Sequence, residues 1–184
     1  MPVTPNMTSL AGTKGKALTC AIQAMSPPAG SGNCLEQSVR AEIDAAGAVT
    51  IRAAASGTGV WVPYMPGRTF YGWSTNGATW MGTGPFSGCH IAFFTDGARV
   101  GMAHIAKESG TSAAGEAWAT FTKSGGITVL NEWKIGLPDP TRYSASYVFL
   151  DLSASKSIGL AQVDVHVKTM GGADGTIFDV KKVL

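Results

Sequence analysis

The chain has 184 residues, 45% of them hydrophobic and 14% charged, with a formal net charge of +2 at pH 7. That composition describes one globular domain over 1–184, able to bury a core without disulfide or metal staples, and argues against a disordered chain. The near-balanced charge and the lack of any Lys/Arg run argue against a nucleic-acid partner, and no apolar run reaches the roughly 20 residues of a membrane span.

Residues 1–16, rich in Pro, Thr, Gly and Lys, read as a loose N-terminal segment without the charged-then-apolar layout of a secretory signal. Residues 25–32 are a loop by composition. Asn33 followed by Glu36 resembles a capping box, Leu35, Val39 and Ile43 recur at i, i+4 and i+8, and Gly47 is a natural stop, so a helix is expected over 34–46. After Gly47 the texture is β. Strands are expected at 48–54, 59–62, 68–73, 115–122, 127–135, 143–152, 158–167 and 177–183, punctuated by Gly, Asp, Ser and Pro. The 24 glycines fit many tight turns. The expected fold is α+β and strand-rich: two packed, mostly antiparallel sheets forming a β-sandwich-like core, flanked by one or a few helices.

The segment from Thr83 to His104 carries the most chemistry. Asp96-Gly97 is a strong two-residue hairpin signal, since a type I′ turn needs positive φ at both central positions. With those two residues as the turn, Thr95 pairs with Ala98, Ile91 with Met102, and Cys89 with His104. Directly opposed residues share a face with Cβ atoms about 5 Å apart, close enough for a thiol and an imidazole to share a proton. A one-residue bulge would instead put them on opposite faces. Both faces of 89–94 and of 100–105 are apolar or small, which places this hairpin at the centre of a sheet.

A free thiol is mostly protonated at neutral pH and needs a basic neighbour to act as a nucleophile. Cys89 with His104 as its base meets that need. Gly88 lets the chain bend into the strand and leaves space beside Cys89. The N–H groups of Cys89 and the loop before it are placed to face a developing oxyanion. The hydroxyls of Thr83 and Ser87 are near enough in sequence to orient the imidazole or polarise a carbonyl. The competing reading makes Cys89 and His104 ordinary core residues, as spacing alone more often means. Three cysteines cannot all pair, and Cys20 and Cys34 read as small buried hydrophobes in a reducing compartment. His90 should face away from Cys89, and His166 lies far off in sequence; both read as structural. No spacing suggests a metal site.

The elements Thr83-Gly-Pro-Phe-Ser-Gly-Cys89 and Gly101-Met-Ala-His104 resemble the glutamine deamidases that include cytotoxic necrotizing factor, the Burkholderia lethal factor and the chemotaxis receptor deamidase CheD. Those proteins share a small-residue Gly/Ser-Cys motif, a threonine six residues before the cysteine and a histidine on the next strand. Thr83 lies six residues before Cys89, and His104 lies 15 after it. The likeness covers about a tenth of the chain. It implies a Cys89–His104–Thr83 triad that hydrolyses a protein glutamine side chain to glutamate and releases ammonia, without cofactor or metal. It also implies a protein substrate and a bacterial toxin or effector, with a housekeeping deamidase that regulates a partner in its own cell as the alternative; the chain is expected to be a monomer. Its place of action would be the cytoplasm or, through a specialised secretion system, a host cell.

Other readings of the same residues stand beside this one. The dyad could serve transamidation or proteolysis. The aromatics from Trp61 to Trp73 could belong to a non-enzymatic β-sandwich binding module, grip a protein partner, or simply be core. Residues 76–84 are expected as a loop over the site, with 139–142 and 171–175 as further rims of no assigned chemistry.

Overall fold

The computed structural model describes residues 2–22, 26–75, 77–107, 112–153, 159–169 and 174–183. In chain order the elements are α1 (Met7–Ala11), β1 (Ala17–Cys20), β2 (Cys34–Glu36), β3 (Val39–Asp44), β4 (Val49–Ala53), β5 (Gly59–Pro63), β6 (Thr69–Trp73), β7 (Trp80–Phe86), β8 (His90–Thr95), β9 (Val100–Ile105), α2 (Ala113–Lys123), β10 (Thr128–Lys134), β11 (Ser144–Asp151), β12 (Gly159–Val167) and β13 (Asp174–Lys182). The fold is strand-rich α+β, with two packed sheets and two short helices. One sheet closes into a barrel in the order β1-β13-β12-β11-β7-β5-β3-β4, and the other is open, β10-β8-β9-β6-β2. Both are mixed, because β1–β4, β5–β7 and β2–β6 run parallel among otherwise antiparallel neighbours.

Strand alternation sorts the apolar residues into three layers. Trp61, Trp80, Tyr147 and Phe149 fill the barrel, together with Leu10 of α1. The alternate residues of the same strands, Val60, Val62, Met81, Val148 and Leu150, point outward and meet Phe70, Ile91, Phe93 and Met102 of the open sheet. Full burial of side chains of this size contributes about 1.5–3 kcal/mol each, which joins the sheets firmly. The far face of the open sheet packs Ala92, Phe94, Ala103 and Ile105 against Trp118 of α2. Strands β8 and β9 are therefore central and covered on both faces.

Four expectations need correcting. Residues 34–46 form β2 and β3 instead of a helix: a spacing of four fits two strand repeats as well as one helical turn, and Val39, Ala41 and Ile43 alternate in burial with Arg40 and Glu42 along β3 and its neighbours. Residues 115–122 are helical, within α2. Ser112 caps its start by accepting from Gly115 N, and Ala114, Trp118 and Phe121 fall at i, i+4 and i+7 on the sheet-facing side. The N-terminal segment is held down by α1, whose Asn6 and Ser9 form a reciprocal cap and whose Leu10 is fully buried. Residues 80–84, expected in a loop over the site, belong to barrel strand β7. Asn76 and residues 171–173 of the expected rims lie outside the described residues.

The hairpin register also differs. Thr95 pairs with Val100 and Ile91 with His104, so the loop holds four residues, Asp96 to Arg99. The Asp96 carboxylate explains the extra length: it accepts from both Ala98 N and Arg99 N and pairs with the Arg99 guanidinium at 2.7 Å. Phe94 then lies over Gly101, where a Cβ would sit 2.4 Å from the ring. The slip is two residues, and an even slip leaves every side chain on its expected face.

Candidate active site

Thr83 projects from the barrel and His104 from the open sheet, and they meet in the core between the layers. Thr83 Oγ1 and His104 Nδ1 share a hydrogen bond of 2.9 Å, with Thr83 fully buried and His104 1% exposed. Phe86 stacks on the imidazole, with ring centroids 4.0 Å apart and planes 10° from parallel, and the Tyr64 ring lies 5.0 Å away. Burial in this apolar slot pushes the His104 pKa down to about 3, so the ring is neutral near pH 7. Its other nitrogen, Nε2, is buried without a hydrogen-bond partner among the described residues.

Cys89 sits one residue before β8 and packs on the same inter-sheet cluster as Ile91, Phe93 and Met102. In the observed register it is diagonal to His104 instead of directly opposite. Diagonal positions are about 7–8 Å apart, a spacing that a long ring can bridge. The direct thiol–imidazole hydrogen bond expected from a two-residue turn is therefore not formed at Nε2. The Cys89 carbonyl accepts from Ile135 N at 3.0 Å, which ties the nucleophile candidate to the chain leaving β10. Gly88 has φ +146, with no atom within 4 Å of where a Cβ would stand. Its need for glycine is conformational. Ser87 is exposed.

The remaining cysteines and histidines are engaged elsewhere. Burial pushes the Cys20 and Cys34 thiols up to about 11 each. His90 faces the α2 side, 3.4 Å from Glu132, which also pairs with Lys107 at 2.8 Å and accepts from Trp118 Nε1 at 2.9 Å. Burial, then the Lys107 charge, holds the His90 pKa below its usual value. His166 pairs with Asp139 at 2.9 Å and stacks on Phe178. Among the described residues no three His, Cys, Asp or Glu side chains converge on a metal-sized site, and no helix is long and apolar enough to cross a membrane. Trp61, Phe70 and Trp73 are core residues.

A cleft of about 870 Å³ has Pro85, Ser87, Leu137, Arg142, Tyr143 and His166 among its lining residues, and Ser87 ties it in sequence to Cys89. One feature escapes sequence reasoning: Tyr64 and Phe86 flank the imidazole through tertiary packing that no local spacing announces. Of the rim expected at 139–142, Pro140, Thr141 and Arg142 line the cleft. Comparison with known protein families, characterised proteins and solved structures finds no match for this chain.

Proposed function

We propose that the chain is a cysteine-dependent amidohydrolase that converts a glutamine side chain of a partner protein to glutamate. The observation that carries this reading is the buried Thr83–His104 pair on the Cys89 side of the open sheet, with Nε2 unpartnered among the described residues. A neutral imidazole carries one N–H. A buried N–H without an acceptor is costlier than an unshared lone pair, as the rarity of orphaned donors shows. That favours the tautomer in which Nδ1–H donates to Thr83 Oγ1 and Nε2 is a bare base, the form needed to accept a thiol proton.

In this mechanism the resting pair is thiol and imidazole, and the proton moves to Nε2 as sulfur attacks the glutamine carboxamide carbon. The tetrahedral intermediate collapses with loss of ammonia, which takes its proton from His104. Water, deprotonated by His104, then attacks the thioester. Glutamate leaves and the thiol is restored. On this reading the loop N–H groups around Gly88 and Cys89 serve as donors to the oxyanion. The product differs from the substrate by one charge, enough to switch a partner protein.

The test is mass spectrometry of bacterial and eukaryotic lysates incubated with wild-type protein or Cys89→Ser, because the site of action is its own cytoplasm or a host cell. Glutamines gaining about 1 Da with wild type alone support hydrolysis. Incorporation of an added primary amine at those glutamines would move the reading to transamidation. No modified glutamine, together with ordinary alkylation of Cys89, would refute both.

A further inference from the structure

We infer that the cleft beside Ser87 is the docking groove for an acidic, extended polypeptide segment that carries the target glutamine, an inference that rests on the reading of Cys89 as the nucleophile. Its position comes first. Ser87 lines the cleft and precedes Cys89 by two residues. Two extended residues span at most about 7 Å. A main chain passing over Ser87 in the cleft therefore runs close to the Cys89 backbone.

Charge gives the chemistry of the occupant. No acidic residue lines the cleft, whereas Arg142 does, and its guanidinium has neither a hydrogen bond nor an ion pair among the described residues. The carboxylate behind the rim, Asp139, is already satisfied by Thr141 N at 2.9 Å, Thr141 Oγ1 at 2.6 Å and His166 at 2.9 Å. Ser144 Oγ bonds both the N–H and the carbonyl of Asp139, at 3.0 and 2.8 Å. Arg142 is thus a free cation held on a fixed turn, which reduces the ordering cost of binding a carboxylate.

Apolar surface gives the size class. Tyr143 is 59% exposed and Leu137 45%, so two of the large hydrophobic side chains left in solvent stand at this one cleft. Tyrosine and arginine together are the residue types that anchor protein interfaces. A pocket for a small molecule buries most of its ligand inside walls. Here Thr141, Arg142 and Tyr143 stand in solvent, suited to a chain that passes through.

The probes are two synthetic decapeptides with a central glutamine, one flanked by glutamate and leucine, the other by lysine and leucine. They are titrated into the Cys89→Ser protein and followed by backbone amide NMR. The acidic peptide is expected to shift Leu137, Arg142, Tyr143 and Ser144 and to bind about tenfold tighter than the lysine peptide, and Arg142→Glu is expected to reverse that order. Equal affinities, shifts elsewhere, or a preference unchanged in Arg142→Glu overturn the groove. Arg142 is exposed, so its substitution leaves the fold intact. Mass analysis of the same peptides after incubation with wild type separates the two claims. A peptide bound in the cleft but never deamidated supports the groove and removes the chemistry. A peptide deamidated at a rate indifferent to Arg142→Glu keeps the chemistry and overturns the groove.

Discussion

Thr83→Val tests the centre of the site with the least change of shape. Both partners of the Thr83–His104 bond are buried, the bond is 2.9 Å long, and valine replaces the hydroxyl by a methyl. The variant leaves a buried imidazole N–H without an acceptor, at a cost of about 1–3 kcal/mol. In a domain of this length each kcal/mol lowers Tm by about 2–4 °C, so a drop of about 2–12 °C is expected in a thermal scan followed by circular dichroism. His104→Phe keeps an aromatic ring between Phe86 and Tyr64 and removes the imidazole. Combined with Thr83→Val it should be more stable than the sum of the single losses, because two apolar groups replace a bonded pair. On the proposed mechanism, loss of the same energy from orientation of His104 lowers glutamine conversion about 5- to 150-fold in Thr83→Val. A Thr83→Val protein with unchanged Tm, and a double variant that is simply additive, would show that the hydrogen bond neither holds the imidazole nor sets its tautomer.

The remaining predictions concern protons, thiols and backbone. His104 has its pKa lowered to about 3 by burial, against about 6.5 in an unfolded chain. Between those values the unfolded state binds the extra proton, so this contribution is complete above about pH 6.5 and is lost as pH falls toward 3. Its slope is at most about 1.4 kcal/mol per pH unit. Urea midpoints for wild type minus His104→Phe should show that slope, and parallel curves would contradict a neutral buried imidazole. Iodoacetamide at pH 8 should label native Cys89 well before Cys20 or Cys34, whose thiols near 11 leave only about 0.1% thiolate. Labelling of Cys34 as fast as Cys89 would overturn that order. Gly88→Ala meets no steric neighbour but must adopt φ +146, at a cost on the order of 1–3 kcal/mol. The Cys89 labelling rate should change with it, and an alanine variant matching wild type in both respects would leave Gly88 no conformational role.

The strands are legible where alternation or unbroken apolar runs leave one interpretation, as in β5, β8, β9, β11 and β12. They are illegible where the spacing serves two periods. Leu35, Val39 and Ile43 satisfy helix and strand together, and only the parallel pairing of Cys34–Glu36 with β6 and the antiparallel pairing of β3 with β4 and β5 decide it. The 115–122 segment fails in the opposite sense: Ala117, Ala119 and Phe121 against Trp118 and Thr120 mimic alternation, while the helical cap at Ser112 and the apolar face of Ala114, Trp118 and Phe121 define α2. Closure of one sheet into a barrel is not written in any local pattern, since it depends on β1 meeting both β4 and β13.

The site shows which errors matter. Asp96 draws Ala98 and Arg99 into the hairpin loop through its own carboxylate, and this moves the register by two residues. Cys89 loses its place directly opposite His104 yet keeps the same face, because strand side chains repeat every two residues. A slip of one would have sent His104 to the α2 side with Ala103 and Ile105, far from Thr83. The Thr83–His104 contact has a different origin. It joins a barrel strand to the open sheet across 21 residues of sequence, and no hairpin or helix rule relates those positions. What makes the contact durable is the surrounding chemistry. A buried imidazole flanked by Phe86 and Tyr64 has few polar partners to choose from, and losing Thr83 would strand a second nitrogen beside the unpartnered Nε2. Burial therefore makes the pair specific, and the same burial keeps the imidazole neutral.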